Sequence, residues 1–497
     1  MKIFAHIITL LYLVIITSSC YKEEVIYNTV FDKSLQTAPL LTFNNAPCGF
    51  DAELSLLRAS IQTDTIHKFT PFISFQNYSH IYFNDSLELK NNDFNNLGTI
   101  TTSESYTITI KTNATTKNLT LQFTNLPIAI ISTPNEVWDE PKTVAHLSLY
   151  IPQTDECFTS NIGIEYRGAT SLLYPKKSYG FALTHSISTS DRYSSEIGKM
   201  RKNEDWIFDA MYIDKSRVRN MVSFKLWNEI DSLRRGIQSQ LVEVFLNHSH
   251  QGIYCFNEKL NPEFLGLTQK GALLYKGVSW LNGGTKFETN NPYPKSHYRW
   301  DGWEQIYPDP KYTTQWEPLD SLKNIAVNYS DEDFISHIGS YINIDNVIDY
   351  YIFLNLISAW DNAGKNIFLT RSHSTEKFSF LPWDLDGSWG YFWDGTHITH
   401  TNIINTNQLF NKLIKLNPNN YKTKLKNRWF ELRNSIFTYG HIHDLFEEEF
   451  EALLSSGCIE IENKKWNLTL NIEGEQEFTY RWIQRRLTFL DNYYSNL

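Results

Sequence analysis

Two neighbouring stretches decide the reading: W360-D-N-A-G-K-N366, and K377-F-S-F-L-P-W-D-L-D-G-S-W-G390. Asp361 is followed five residues on by an amide, Asn366, then by the strand-like run 377–381, then by Asp384 and Asp386 beside Gly387. Transfer of a phosphoryl group needs a carboxylate that orients or deprotonates the attacking hydroxyl, and oxygen donors for a divalent cation bridging the phosphates. Asp361 suits the first role, Asn366 and Asp384 the second, and Asp386 is the rival metal ligand. Lys365 is placed to neutralise a transferred phosphoryl group. The same residue types also cap ordinary turns. Paired carboxylates, Asp384 or Asp386 with Asp361 or Glu258, would equally serve glycoside hydrolysis. Spacing alone leaves these open. Trp383, Trp389 and Trp393 either wall a pocket or pack a core.

Upstream of these stretches the chain is rich in strands, and downstream it is helical. Residues 126–132, 144–151, 161–166 and 177–184 carry strand patterns. Asp214 then caps a helix whose Val218, Met221, Val222, Leu226 and Ile230 recur on one face. Residues 241–246 and 252–258 form a hairpin with Asn247 and Gly252 in its turn. A second helix starts at Asp345, and the tail 407–494 is mainly amphipathic helix. The fold class is α+β. Between Cys48 and Phe123, short alternating runs separated by Asn, Asp and Gly read as a small antiparallel β-sandwich of the immunoglobulin-like kind. The expected organisation is a signal at 1–20, a tether at 21–45, the sandwich at 46–125 and a larger domain at 126–497.

The N-terminus is an address. Lys2, the apolar run from Ile3 to Ile16, and Thr17-Ser18-Ser19-Cys20 form a secretory signal with small residues before a cysteine. The arrangement resembles the bacterial lipobox, with Thr17 where Leu is usual, which makes Cys20 the lipidated residue. An ordinary signal peptide with an incidental cysteine is the alternative. Tyr21-Lys22-Glu23-Glu24 resembles a surface-export signal of Gram-negative lipoproteins. The expected location is therefore the cell envelope, lipid-anchored, at the outer membrane or cell surface. In that oxidising compartment Cys48, Cys157, Cys255 and Cys458 are either disulfides or buried thiols. The 497-residue chain carries a net charge of −10 with both signs interspersed, which excludes nucleic acid as a partner.

Several motifs recur here in a fixed order: YRGATS (166–171), PKKSY (175–179), DWIFDAMYIDKSRVRN (205–220), VEVFLNHSHQGIYCFNEK (242–259), LLYKG (273–277), WDGWEQIYPDP (300–310), then WDNAGKN and PWDLDGSWG. This series, over about residues 127–497, resembles the spore-coat-protein-H (CotH) family of atypical kinases. The Asp-to-Asn spacing followed by Asp-x-Gly is shared with eukaryotic-type kinases. The family usually has Asn where Ala169 stands here.

The resemblance implies a bilobal, atypical protein-kinase-like domain using ATP with Mg²⁺ or Mn²⁺ on a protein or glycan acceptor. Its candidate nucleotide-binding residues are Arg167, Lys176 or Lys177, Glu258, Lys276 and Lys365, with Glu258 ending the strand that leads to the hinge. Arg217 and Arg219 are candidate phosphate or carboxylate partners. The rival is a catalytically degenerate surface lipoprotein that keeps the fold as a binding or structural module, a reading Ala169 favours.

Overall fold

The computed structural model describes residues 40–75, 80–112 and 115–497. Cys20, the signal and most of the tether lie outside the described residues. Residues 41–124 form a four-stranded sheet, a six-stranded sheet and a two-stranded ribbon. Their inward side chains, among them Phe43, Leu57, Ile73, Ile108, Leu121 and Phe123, share one apolar cluster.

From Ile128 the chain builds a closed seven-stranded barrel. Strand Ile128–Ser132 pairs antiparallel with Thr143–Ile151 and parallel with Ser239–Leu246, which closes the ring and leaves no edge. The other strands are Glu156–Arg167, Ser178–Thr184, Asp205–Asp209 and Ser249–Glu258. Each delivers alternate residues to the interior (Leu147 and Leu149, Ile162 and Ile164, Tyr179 and Phe181, Trp206 and Phe208, Tyr254 and Phe256), the period-2 pattern of a strand with one buried face. The hairpin between Ser239–Leu246 and Ser249–Glu258 turns on Asn247 and His248, both at positive φ. Gly252, expected in the turn, lies inside the second strand at φ +100°, beside a register shift. A Cβ there would fall 2.6 Å from an oxygen of Glu462.

The second body is a five-stranded sheet, in the order Arg299–Trp300, Trp303–Tyr307, Leu273–Gly277, Ile367–Arg371, Ser379–Pro382. Around it lie helices α1 (Arg219–Ile230), α2 (Glu317–Val327), α3 (Asp331–His337), α4 (Ile344–Ile357), α5 (Gln408–Leu416), α6 (Tyr421–Arg433), α7 (Tyr439–Ser455), α8 (Cys458–Trp466) and α9 (Ile472–Ser495). Among the described residues no helix is long and apolar enough to cross a membrane. Helix α1 begins at Arg219, later than the sequence implied, because Asp214 first closes a turn onto Ser216 and only then accepts the Arg219 N–H at 3.0 Å. It is buried on nearly all sides rather than on one face. Helix α4 starts one residue before Asp345 and is capped by Asn343.

The boundary near Leu126 separates two cores that are nonetheless bolted together. Arg58, from strand Leu56–Ser60, reaches barrel residue Glu243 through Nε at 3.0 Å and Nη2 at 2.7 Å, and both side chains are fully buried. The same Nη2 donates to the Ser456 carbonyl and approaches Cys458 Sγ, between α7 and α8. All four described cysteines are free thiols; Cys157 is exposed and the others are buried.

Candidate functional site

Sheet register brings the two deciding stretches together. Ile367 lies opposite Pro382 in the antiparallel pair, so the start of one strand meets the end of the other. Asn366 therefore sits beside Trp383 and Asp384: Trp383 N–H donates to the Asn366 carbonyl at 3.0 Å, and Asn366 Nδ2 to Asp384 Oδ2 at 3.0 Å. Asn366 and Asp384 both adopt left-handed backbone, at φ +53° and +57°. Helix α4 ends at Ser358, also left-handed, and hands the chain to the short turn Asp361–Ala363. Lys365 Nζ lies 3.6 Å from Asp361 Oδ2. Asp361, Asp384, Asp386 and the half-exposed Trp393 line one small cleft, with Trp360 and Gly387.

The neighbouring strand Leu273–Gly277 sets Lys276 opposite Phe368, with Nζ 5.8 Å from that ring. From the barrel, Arg167 ends its strand with the guanidinium 5.8 Å from the Trp383 ring. Burial lowers the pKa of Lys276, Arg167 lowers it further, and Asp384 opposes. Burial likewise lowers Arg167, against the pull of Asp209 and Asp384. Asp386 is pushed well above the usual carboxylate range by burial and then by the negative charge of Asp384 and Asp209. Burial is the larger cause and the like charge of neighbouring carboxylates the second.

Asp209 belongs to this cluster, although the sequence reading did not single it out. It ends strand Asp205–Asp209, accepts from Ser178 Oγ and Met211 N–H, both at 3.2 Å, and is raised by burial and then by Asp384. Its only sequence signal was a second Asp within the motif 205–220.

Three expected nucleotide ligands are not part of the cluster. Lys176 is fully buried in an ion pair with Glu462 of α8 at 2.9 Å, and Arg217 shares that carboxylate at 2.8 Å. Lys177 donates to the carbonyls of Leu172 and Tyr174 at 2.6 Å each. Glu258 is enclosed, accepting from Arg201 at 2.6 Å and Gln238 N–H at 2.7 Å, so it latches a hairpin to the barrel. Arg219 is likewise taken up, by Asp214 and Glu475. Trp389 is core: it is fully buried, its Nε1 donating to Ser223 Oγ at 2.8 Å. A larger cavity, about 350 Å³, lies at the far end of strand Ile367–Arg371, lined by Arg371, Glu376 and Phe378 and by none of the residues singled out in the sequence.

The site thus combines a partly buried catalytic-type carboxylate, an amide and carboxylate pair of hard oxygens, and two cations from facing elements. The family model described as CotH kinase protein matches residues 164–490, so the chain belongs to that family. It is 21% identical over 370 residues to the inner spore coat protein H of Bacillus subtilis (strain 168), covering 73% of this chain and 93% of that protein. Among solved structures, the proinflammatory kinase CtkA of Helicobacter pylori aligns over 73% of this chain and 95% of its own, at 8% identity and a TM-score of 0.28, a score from which nothing is inferred about the fold.

Proposed function

We propose that this chain is a kinase that moves the γ-phosphoryl group of ATP to a hydroxyl of a protein or glycan, outside the cytoplasm and tethered through Cys20 to the cell envelope, at the outer membrane or cell surface. In this reading the barrel is the small lobe, the five-stranded sheet with its helices the large lobe, and the sheets before Leu126 an accessory sandwich. One observation carries it: Arg167 and Lys276, which have no ion-pair partner among the described residues, converge on Asp384 beside Asn366 and Asp361. Two unpaired, partly enclosed cations next to a carboxylate suit a polyphosphate better than they suit an apolar or neutral ligand.

Among the described residues no three His, Cys, Asp or Glu converge as a complete cation cage. A pair of protein oxygens is what Mg²⁺ needs where substrate phosphates and water complete the shell. Asn366 and Asp384 would hold Mg²⁺ or Mn²⁺, which when bound offsets phosphate charge. Asp361 orients the acceptor hydroxyl and takes its proton as the new P–O bond forms and the bond to ADP breaks. Lys365, beside it, faces the transferred group, and Arg167 and Lys276 bind the remaining phosphates.

The test separates the roles. Asp361→Asn should lower turnover by about 10²- to 10⁴-fold with metal–ATP binding nearly intact. Asp384→Ala should lose metal-dependent binding and turnover together. If both variants bind and turn over like the parent, the assignment is wrong.

A further inference from the structure

The peptide groups on the two sides of Asp384 are each pinned by a side-chain amide. Asn362, in the Asp361 turn, donates to the carbonyls of Trp383 and Asn366, both at 2.8 Å. Asn220, the second residue of α1 and only 4% exposed, accepts the Leu385 N–H at 3.0 Å. The first bond fixes the peptide plane that sets φ of Asp384, and the second fixes the plane that sets ψ. Asp384 stands at φ +57°, a conformation that an L residue keeps only when its surroundings impose it. The direction of its carboxylate therefore depends on these two bonds.

Asn220 is itself seated from the other side. Its Nδ2 faces Asp209 Oδ2 at 3.4 Å, and Asp209 is anchored by Ser178 and the Met211 N–H. Asn220 thus spans from the end of a barrel strand to the loop that carries Asp384. The far end of that loop is tied to the same helix by Trp389 and Ser223.

We propose that Asn220 is the positioning residue of the Asp384 loop: it transmits the seat of α1 and the barrel to the metal-binding carboxylate. It touches neither nucleotide nor acceptor and acts only through the Leu385 peptide. The proposal rests on the reading of the cleft as a metal–nucleotide site, and the experiment separates the two.

The full chain is compared with its Asn220→Ala, Asn220→Asp and Ser223→Ala variants by hydrogen exchange without ligand and by titration with ATP, with and without Mn²⁺. Asn220→Ala should speed exchange in the segment 383–390 and weaken Mn²⁺-dependent ATP affinity about tenfold or more, the size expected when a buried N–H loses its acceptor. ATP affinity without metal should stay within about twofold, because the phosphate cations are untouched. Asn220→Asp keeps an oxygen for Leu385 but loses the Nδ2 donor to Asp209 and sets a second carboxylate against it, so its exchange should fall between that of the parent and that of Asn220→Ala. Ser223→Ala removes the other tether of the loop and should leave the affinity within about threefold. Parent-like exchange in Asn220→Ala would overturn the proposal, as would a fall in metal-free and metal-dependent affinity by the same factor. A parent that binds no ATP under either condition would remove the kinase reading, and the exchange result by itself would then decide whether Asn220 holds the loop.

Discussion

Arg58→Met is the perturbation whose cost follows most directly from the structure. It removes a buried bidentate partner from Glu243 and takes a donor from the Ser456 carbonyl and Cys458 Sγ. Burial alone would raise the Glu243 carboxyl; Arg58, and then His250 at 3.1 Å, more than reverse this and hold it well below the usual range. Removing one partner of a buried ion pair costs about 3–5 kcal/mol, against roughly 5–15 kcal/mol for the stability of a whole domain. With a urea slope near 3 kcal/mol per molar, the midpoint should fall by about 1–2 M.

The assay has a built-in control, because none of the 14 Trp residues precedes Trp138. Trp fluorescence therefore reports only the barrel and the helical body, yet it should shift with a substitution in the sheets before them. Replacing both partners, Arg58→Met with Glu243→Leu, should recover most of the loss, since an apolar pair leaves no charge stranded. The stabilising contribution of Glu243 is complete above about pH 4.3, its unfolded value, and is lost as pH falls toward its depressed folded value, so Glu243→Gln should flatten that acid limb. A parent-like Trp transition in Arg58→Met, with only far-UV signal lost early, would show that residues before Leu126 fold independently and refute the reasoning.

Other outcomes follow from the same geometry. Burial lowers Lys176 to about 8, with Glu462 only partly offsetting it; the folded chain then holds fewer protons than the unfolded one between about pH 8 and 10.4, so stability should rise with pH across that window and Lys176→Met should abolish that part of the slope in pH-dependent urea unfolding. Arg167→Gln and Lys276→Gln should each weaken ATP binding about tenfold, as read by calorimetry, and to a similar degree with or without metal, which distinguishes them from Asp384→Ala.

Much of the cleft could be read in the sequence because its parts lie at the ends of two strands adjacent in the chain. Asp361, Asn366 and Asp384 were legible as local motifs, and antiparallel pairing of Ile367 with Pro382 was enough to join them. Most of the failures share a cause, partners far away in sequence; Lys177 is the exception, held by the nearby carbonyls of Leu172 and Tyr174. Lys176 and Lys177 precede a strand in the expected place, but Glu462, 286 residues on, claims the first. Glu258 ends its strand as read, yet Arg201 encloses it. Asp209 showed locally only as a second Asp within the motif 205–220, because its charged neighbours, Arg167 and Asp384, come from other elements. Ring closure through the parallel pair of Ile128–Ser132 with Ser239–Leu246 was equally invisible to period-2 patterning, which marks a strand's faces without naming its neighbour.

Calorimetric titration of the full chain with ATP, in the presence and absence of Mn²⁺, tests the central claim most directly. The parent should bind ATP more tightly with the metal, and Asp384→Ala should bind it equally with and without. Equal affinity in the parent under both conditions, or no binding at all, would contradict the account.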